Sequence, residues 1–140
     1  MIPADRLTIR AARALQDAAE AARRTGNPAV EDLHLLAALF DQEEGVVAPI
    51  LRKVGAEPAN VGREVAEGIE RLPRQSGASP TLSRELNRVV DVADGEARDL
   101  GDEYVSTEHL LLALAGAEAT STSKILAAAG VTLEALREAL

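Results

Sequence analysis

Along the chain, Leu7, Ala11, Ala14, Leu15, Ala18 and Ala22 recur three and four residues apart, which gathers them on one side of a helix. The same stripe returns at Leu82, Leu86, Val89, Val90, Ala93 and Ala97. Each pattern predicts a helix of about four to five turns. Thr8 and Ser83 precede the two stripes, where a hydroxyl can accept from free N–H groups of the first turn. Gly26 and Gly101 follow them, where a left-handed C-terminal cap carries no Cβ penalty for glycine. Shorter apolar patterns predict second helices over about 31–42 and 106–116, and third helices over about 46–54 and 122–129. Fourth helices start near Pro58 and near Leu133. Proline suits a first turn, and Thr132 is a plausible N-cap.

The two sets of patterns are one pattern repeated. Setting residues 7–65 against 82–140, at a constant offset of 75, aligns 16 identical residues out of 59 without a gap. Among them are Gly26 with Gly101, Val30 with Val105, His34 with His109, Ile50 with Ile125 and Gly55 with Gly130. Between the copies lies a stretch where Pro73, Ser76, Gly77, Ser79 and Pro80 concentrate, the composition of a linker. The expected organisation is repeat one over about 5–72, a linker over about 73–82 and repeat two over about 82–140. The expected fold is all-α, about eight helices, with two four-helix repeats packed about a pseudo-twofold axis into one globular domain, because each unit has a stripe too apolar to leave in water.

Composition supports helices over sheets. Apolar residues make up 46% of the chain, but they are nearly all aliphatic, and Phe40 and Tyr104 are the only aromatics. With no cysteine, neither a disulfide nor a thiolate metal site is possible. The longest apolar runs, 35–40 and 110–115, fall far short of the roughly 20 residues of a membrane span, and no leader pattern is visible, so a cytoplasmic protein is expected. The net charge is −8, with both halves acidic, and a polyanionic nucleic-acid backbone would be repelled.

The residues of familiar catalytic sites are missing. Lys53 follows Arg52 and Lys124 follows Ser123, so neither is the lysine of a phosphate-binding loop, which follows a glycine. No G-x-S-x-G nucleophile motif occurs. His34 and His109 are repeat-equivalent, which favours a shared part in helix packing or capping over metal binding, and no cofactor or metal is expected. The charged groups at Asp41, Glu43 and Glu44 and at Arg23 and Arg24 read as solvated helix ends. The segment 101–109, from Gly101 through Ser106 to His109, reads as a loop and helix start with Glu108 in the first turn.

Two repeats of this form, with Thr107-Glu108-His109-Leu110-Leu111-Leu112-Ala113-Leu114 opening a helix, resemble the Clp N-terminal repeat domain, most closely as carried by bacterial disaggregases. Asp5-Arg6-Leu7-Thr8, Arg71-Leu72-Pro73 and Leu82-Ser83-Arg84-Glu85-Leu86 share the likeness, which covers about 5–140. The resemblance implies a substrate-interacting accessory domain without catalysis of its own. It would bind unfolded or aggregated polypeptide and help deliver it to a hexameric AAA+ ring lying elsewhere in a longer chain. It implies that Thr8, Asp102 and Glu108 handle substrate, and that an apolar groove is lined near Val90, Val92, Glu96 and His109. Glu96 and His109 stand there in place of apolar residues, so a smaller or more polar groove is expected. The alternative is an adaptor-protein docking domain, as in ClpC- and ClpA-like unfoldases. ClpC-like domains would carry the Thr-Glu-His pattern in both repeats, whereas Asp32-Leu33-His34 stands in the first repeat here.

Overall fold

The computed structural model describes residues 2–140. After a 3-10 turn at Ala4–Arg6 come α1 (Ile9–Arg24), the two-residue strand β1 (Ala29–Val30), α2 (Asp32–Asp41), α3 (Val47–Lys53) and α4 (Pro58–Glu70). Then follow β2 (Thr81–Leu82), α5 (Arg84–Asp99), α6 (Thr107–Gly116), α7 (Ser121–Ala128) and α8 (Leu133–Ala139).

The start and stop signals act as the sequence predicts. Thr8 and Ser83 have the same backbone angles, φ −64° and ψ 162°, and their hydroxyls accept from Ala11 N and Leu86 N at 3.1 and 3.0 Å. Gly26 and Gly101 turn left-handed at φ 71° and 74°. The following N–H groups, of Asn27 and Asp102, reach back to the carbonyls of Ala22 and Ala97. Thr132 caps α8 by accepting from Ala135 N.

The Leu-rich helices α2 and α6 are apolar nearly all round, so both lie in the interior, with Leu35, Leu36, Leu110, Leu111 and Leu114 fully buried. Burying each leucine is worth about 1.5–3 kcal/mol. Around them, α1 presents the small face Ala11, Ala14, Ala18 and Ala22, which lets its backbone approach α2 closely, and α5 presents Leu86, Val89, Ala93 and Ala97 to α6. The copies meet across the core, where α2 touches α5, α6 and α7, and α4 touches α7.

Two features go beyond the predicted helices. β1 and β2 pair in parallel, Val30 with Leu82, and an isolated parallel bridge joins Leu7 to Val105. These bridges are equivalent under the offset of 75, and each joins the start of one repeat to the other. Thr8 N donates to Val105 O and Ser83 N donates to Val30 O, both at 3.0 Å. The second feature is a buried carboxylate. Asp32, at the start of α2, accepts from the backbone N and the hydroxyl of Thr122 at 3.0 and 2.7 Å, so a side chain of repeat one satisfies a free N–H in the first turn of α7.

Candidate functional site

The two histidines define equivalent stations, one in each repeat. His109 Nδ1 accepts from Ser106 N at 2.8 Å, so the ring proton sits on Nε2 and is donated to Asp102 Oδ2, also at 2.8 Å. In repeat one, His34 Nδ1 accepts from Glu31 N and Nε2 donates to Asn27 Oδ1, both at 2.9 Å. Both histidines therefore tie a helix start to the loop before it, the structural part expected for them. Burial holds the His34 imidazole below its ordinary value, against the opposing effect of the Asp32 carboxylate.

The surroundings of the stations differ. Asn27 is 1% exposed, and its amide donates to the carbonyl of Pro73, while Gln75 N donates to Gly26 O. The inter-repeat linker thus lies over the first station. At the second station the Asp102 side chain is 50% exposed and the whole run 101–104 faces solvent. One large apolar side chain stands out in it, Tyr104, next to the Leu7–Val105 bridge.

The chain start is fastened to this open station. Arg6 Nε and Nη2 donate to Asp94 Oδ1 at 3.2 and 2.5 Å, and Nη1 donates to the Glu103 carbonyl. Arg98 grips the other oxygen of Asp94 at 3.1 Å. The Arg6 hydrogen bond, with help from Arg98, holds the Asp94 carboxyl below the usual carboxylate range. Neither end of the clamp repeats, since Thr81 and Ala19 occupy the equivalent positions. That departure from the repeat is the signal in the sequence that could have revealed it.

Of the residues named from the sequence, Thr8, Asp102 and Glu108 belong to this one region. Thr8 is half-buried beside Val105, and Glu108 lies in the first turn of α6, accepting from the Thr107 hydroxyl at 3.1 Å. Val90 and His109, expected in a groove lining, are 4% and 5% exposed. Val90 faces inward from α5, and the His109 ring is held in its helix start by Ser106 and Asp102. Val92 is exposed on α5, and the Glu96 carboxylate accepts from Arg137 of α8 at 2.8 Å. Ile9, Tyr104 and the Arg6–Asp94 clamp were not singled out from the sequence. Among the described residues, no three His, Asp or Glu side chains gather where they could hold a metal, and no single helix is long and apolar enough to cross a membrane.

Comparison with known proteins gives this arrangement a family. Residues 6–129 match the model of the Clp repeat (R) N-terminal domain. Relatives include the chaperone protein ClpB of Mycobacterium tuberculosis, 44% identical over 128 residues, and that of Propionibacterium freudenreichii, 43% identical over 138 residues. These matches cover 90% and 96% of the chain but only 15% and 16% of the relatives' length. Similar solved structures include the Hsp104 N-terminal domain of Candida albicans, with TM-score 0.83, 23% identity and coverage of 95% of this chain and 87% of that one. A complex of a ClpV N-domain with a VipB peptide has TM-score 0.76 at 21% identity, covering 96% and 84%. The chain belongs to the Clp repeat N-terminal domain family, with the N-terminal domains of Clp chaperones as its relatives.

Proposed function

We propose that the chain is the client-engaging module of a longer, cytoplasmic, disaggregase-type chaperone, and that the open station beside Thr8 receives unfolded or aggregated polypeptide for a hexameric ATPase ring. The observation that carries this reading is the exposure of the second station. It leaves Asp102, Glu103 and Tyr104 in water beside the Leu7–Val105 bridge. A face of this kind suits an extended chain. Carboxylates accept from its backbone N–H groups, and the exposed Tyr104 ring gives a foothold without a deep pocket. Binding is weak and broad in sequence, because scattered anchors outside a desolvated centre fall below the ~2 kcal/mol of a hot spot.

The test is fluorescence anisotropy of a labelled, permanently unfolded protein titrated with the wild-type chain, Asp102→Ala, Tyr104→Ala and Thr8→Ser. Thr8→Ser keeps the helix cap and serves as the folding control. Weaker binding in Asp102→Ala and Tyr104→Ala, with their urea midpoints near wild type, is expected. Unchanged affinity in both would remove the open station from the binding surface.

A further inference from the structure

The exposed side of α1 carries Arg10, Arg13, Asp17 and Glu20 at steps of three, four and three residues, so they form one row along the helix. Two cations come first and two carboxylates follow, the reverse of what the helix dipole favours, and α1 has no acid in its first turn. Nor does the order serve the helix internally, because a basic residue four places before an acidic one is the poorer orientation of such a pair. Arg13 and Asp17 form no ion pair or side-chain hydrogen bond among the described residues. The Arg10 side chain reaches only the Glu43 carbonyl, and Glu20 pairs with Arg23 of its own helix. The repeat does not impose the row, since Glu85, Arg88, Val92 and Gly95 hold the equivalent places on α5.

The row is complementary to itself. Arg10 and Glu20 stand five residues either side of position 15, and Arg13 and Asp17 stand two either side. When a second copy lays its α1 antiparallel along the first, about a twofold axis at position 15, Arg13 of each copy meets Asp17 of the other and Arg10 meets Glu20. Steps of three and four are those of a helix–helix seam. The antiparallel arrangement also sets the positive end of each helix dipole beside the negative end of the other, whereas a parallel one would set like charges together. Ile9, 87% exposed, borders the seam and is covered with it. Each exposed pair is worth about a one- to five-fold change in an equilibrium. Four of them make a weak contact, with a dissociation constant of about 1 mM.

We infer that the α1 row of Arg10, Arg13, Asp17 and Glu20 is a contact surface for a second copy of this chain, in an antiparallel, twofold arrangement held mainly by charge. The contact stands apart from the client reading and needs no client. On the hexameric ring proposed above it gains a setting, because tethered copies meet at about millimolar effective concentration, enough to keep about half of them paired.

The experiment follows translational diffusion by NMR as the chain is concentrated to about 2 mM, twice the expected dissociation constant. It compares the wild type with Arg13→Glu, Asp17→Arg, the double swap Arg13→Glu/Asp17→Arg and an equimolar mixture of the two single variants, with thermal melts to verify folding. The wild type is expected to diffuse more slowly as it is concentrated, and to lose that dependence in high salt. Each single variant sets two like-charged pairs in place of two attractive ones and should associate at least about ten-fold more weakly. The double swap restores the match, and so does the mixture, where the introduced carboxylate of one variant faces the introduced cation of the other. The chain has no cysteine, so single cysteines read the register. Gln16→Cys lies close to the axis and should form a linked dimer readily in glutathione buffer. Arg24→Cys, roughly 27 Å from its counterpart along the seam, should not. No association up to about 2 mM overturns the inference. So do single variants that associate as the wild type does, a mixture no better than its components, or equal cross-linking at both positions.

Discussion

Replacing Asp32 by alanine probes how the repeats are joined. The carboxylate is 5% exposed and accepts two hydrogen bonds from Thr122, which is fully buried on α7. Alanine would leave the Thr122 N–H in the first turn of its helix with no acceptor. The hydroxyl is less stranded, since the Thr120 hydroxyl lies 3.4 Å away. A buried donor left unsatisfied costs about 1–3 kcal/mol, and the second, partly rescued, costs less. The sum is a loss of about 2–4 kcal/mol, or about 7–14 °C in melting temperature for a chain of this size. Asp32→Asn keeps an acceptor and should lose about half as much. Urea unfolding followed by circular dichroism measures both. In a double-mutant cycle with Thr122→Val, the expected coupling is about 1 kcal/mol or more, since the hydroxyl bond is then counted twice. A loss below about 0.5 kcal/mol for Asp32→Ala, or additive single effects, would refute the lock.

Further expectations follow from strain, titration and the terminal clamp. Glu44 and Ala119, equivalent under the repeat, have left-handed φ of 55° and 58° without being glycine, so Glu44→Gly and Ala119→Gly should each stabilise by about 0.5–1 kcal/mol in chemical denaturation. His34 is held below its ordinary value of 6.5, so the unfolded chain binds the proton first as pH falls. Its stabilising contribution is present above about pH 6.5 and is lost as pH drops through the folded-state value, which a series of urea midpoints against pH will show and His34→Gln should blunt. Arg6→Ala should move the Asp94 carboxyl upward toward its usual value, measured by side-chain carbon NMR, with the Arg98 contact retaining part of the depression.

Much of the fold is legible because it is written in local signals. The i, i+3, i+4 spacing of Ala11 to Ala22 and Leu86 to Ala97, the caps at Thr8 and Ser83, and the left-handed glycines all act within a few residues of themselves. The cross-pairing of Leu7 with Val105 and Leu82 with Val30 was not legible, since two-residue bridges carry no periodic pattern and join residues far apart in sequence. The Asp32–Thr122 lock escaped for the same reason: 90 residues separate its partners. At the site, residue type and resemblance pointed to Thr8, Asp102 and Glu108, but not to exposure. The burial of Val90 and His109 follows from the placing of α5 and α6, and the cover over Asn27 from the path of the linker, neither of which is local in sequence.

That the exposed station around Asp102 receives client polypeptide is tested most directly by an amide NMR titration of the wild-type chain with a permanently unfolded protein. Shifts are expected at Thr8 to Arg10 and at Asp102 to Glu108, with the amides around Asn27, which the linker covers, and around Ser83 unmoved. Shifts of similar size at both stations, or at neither, would contradict it.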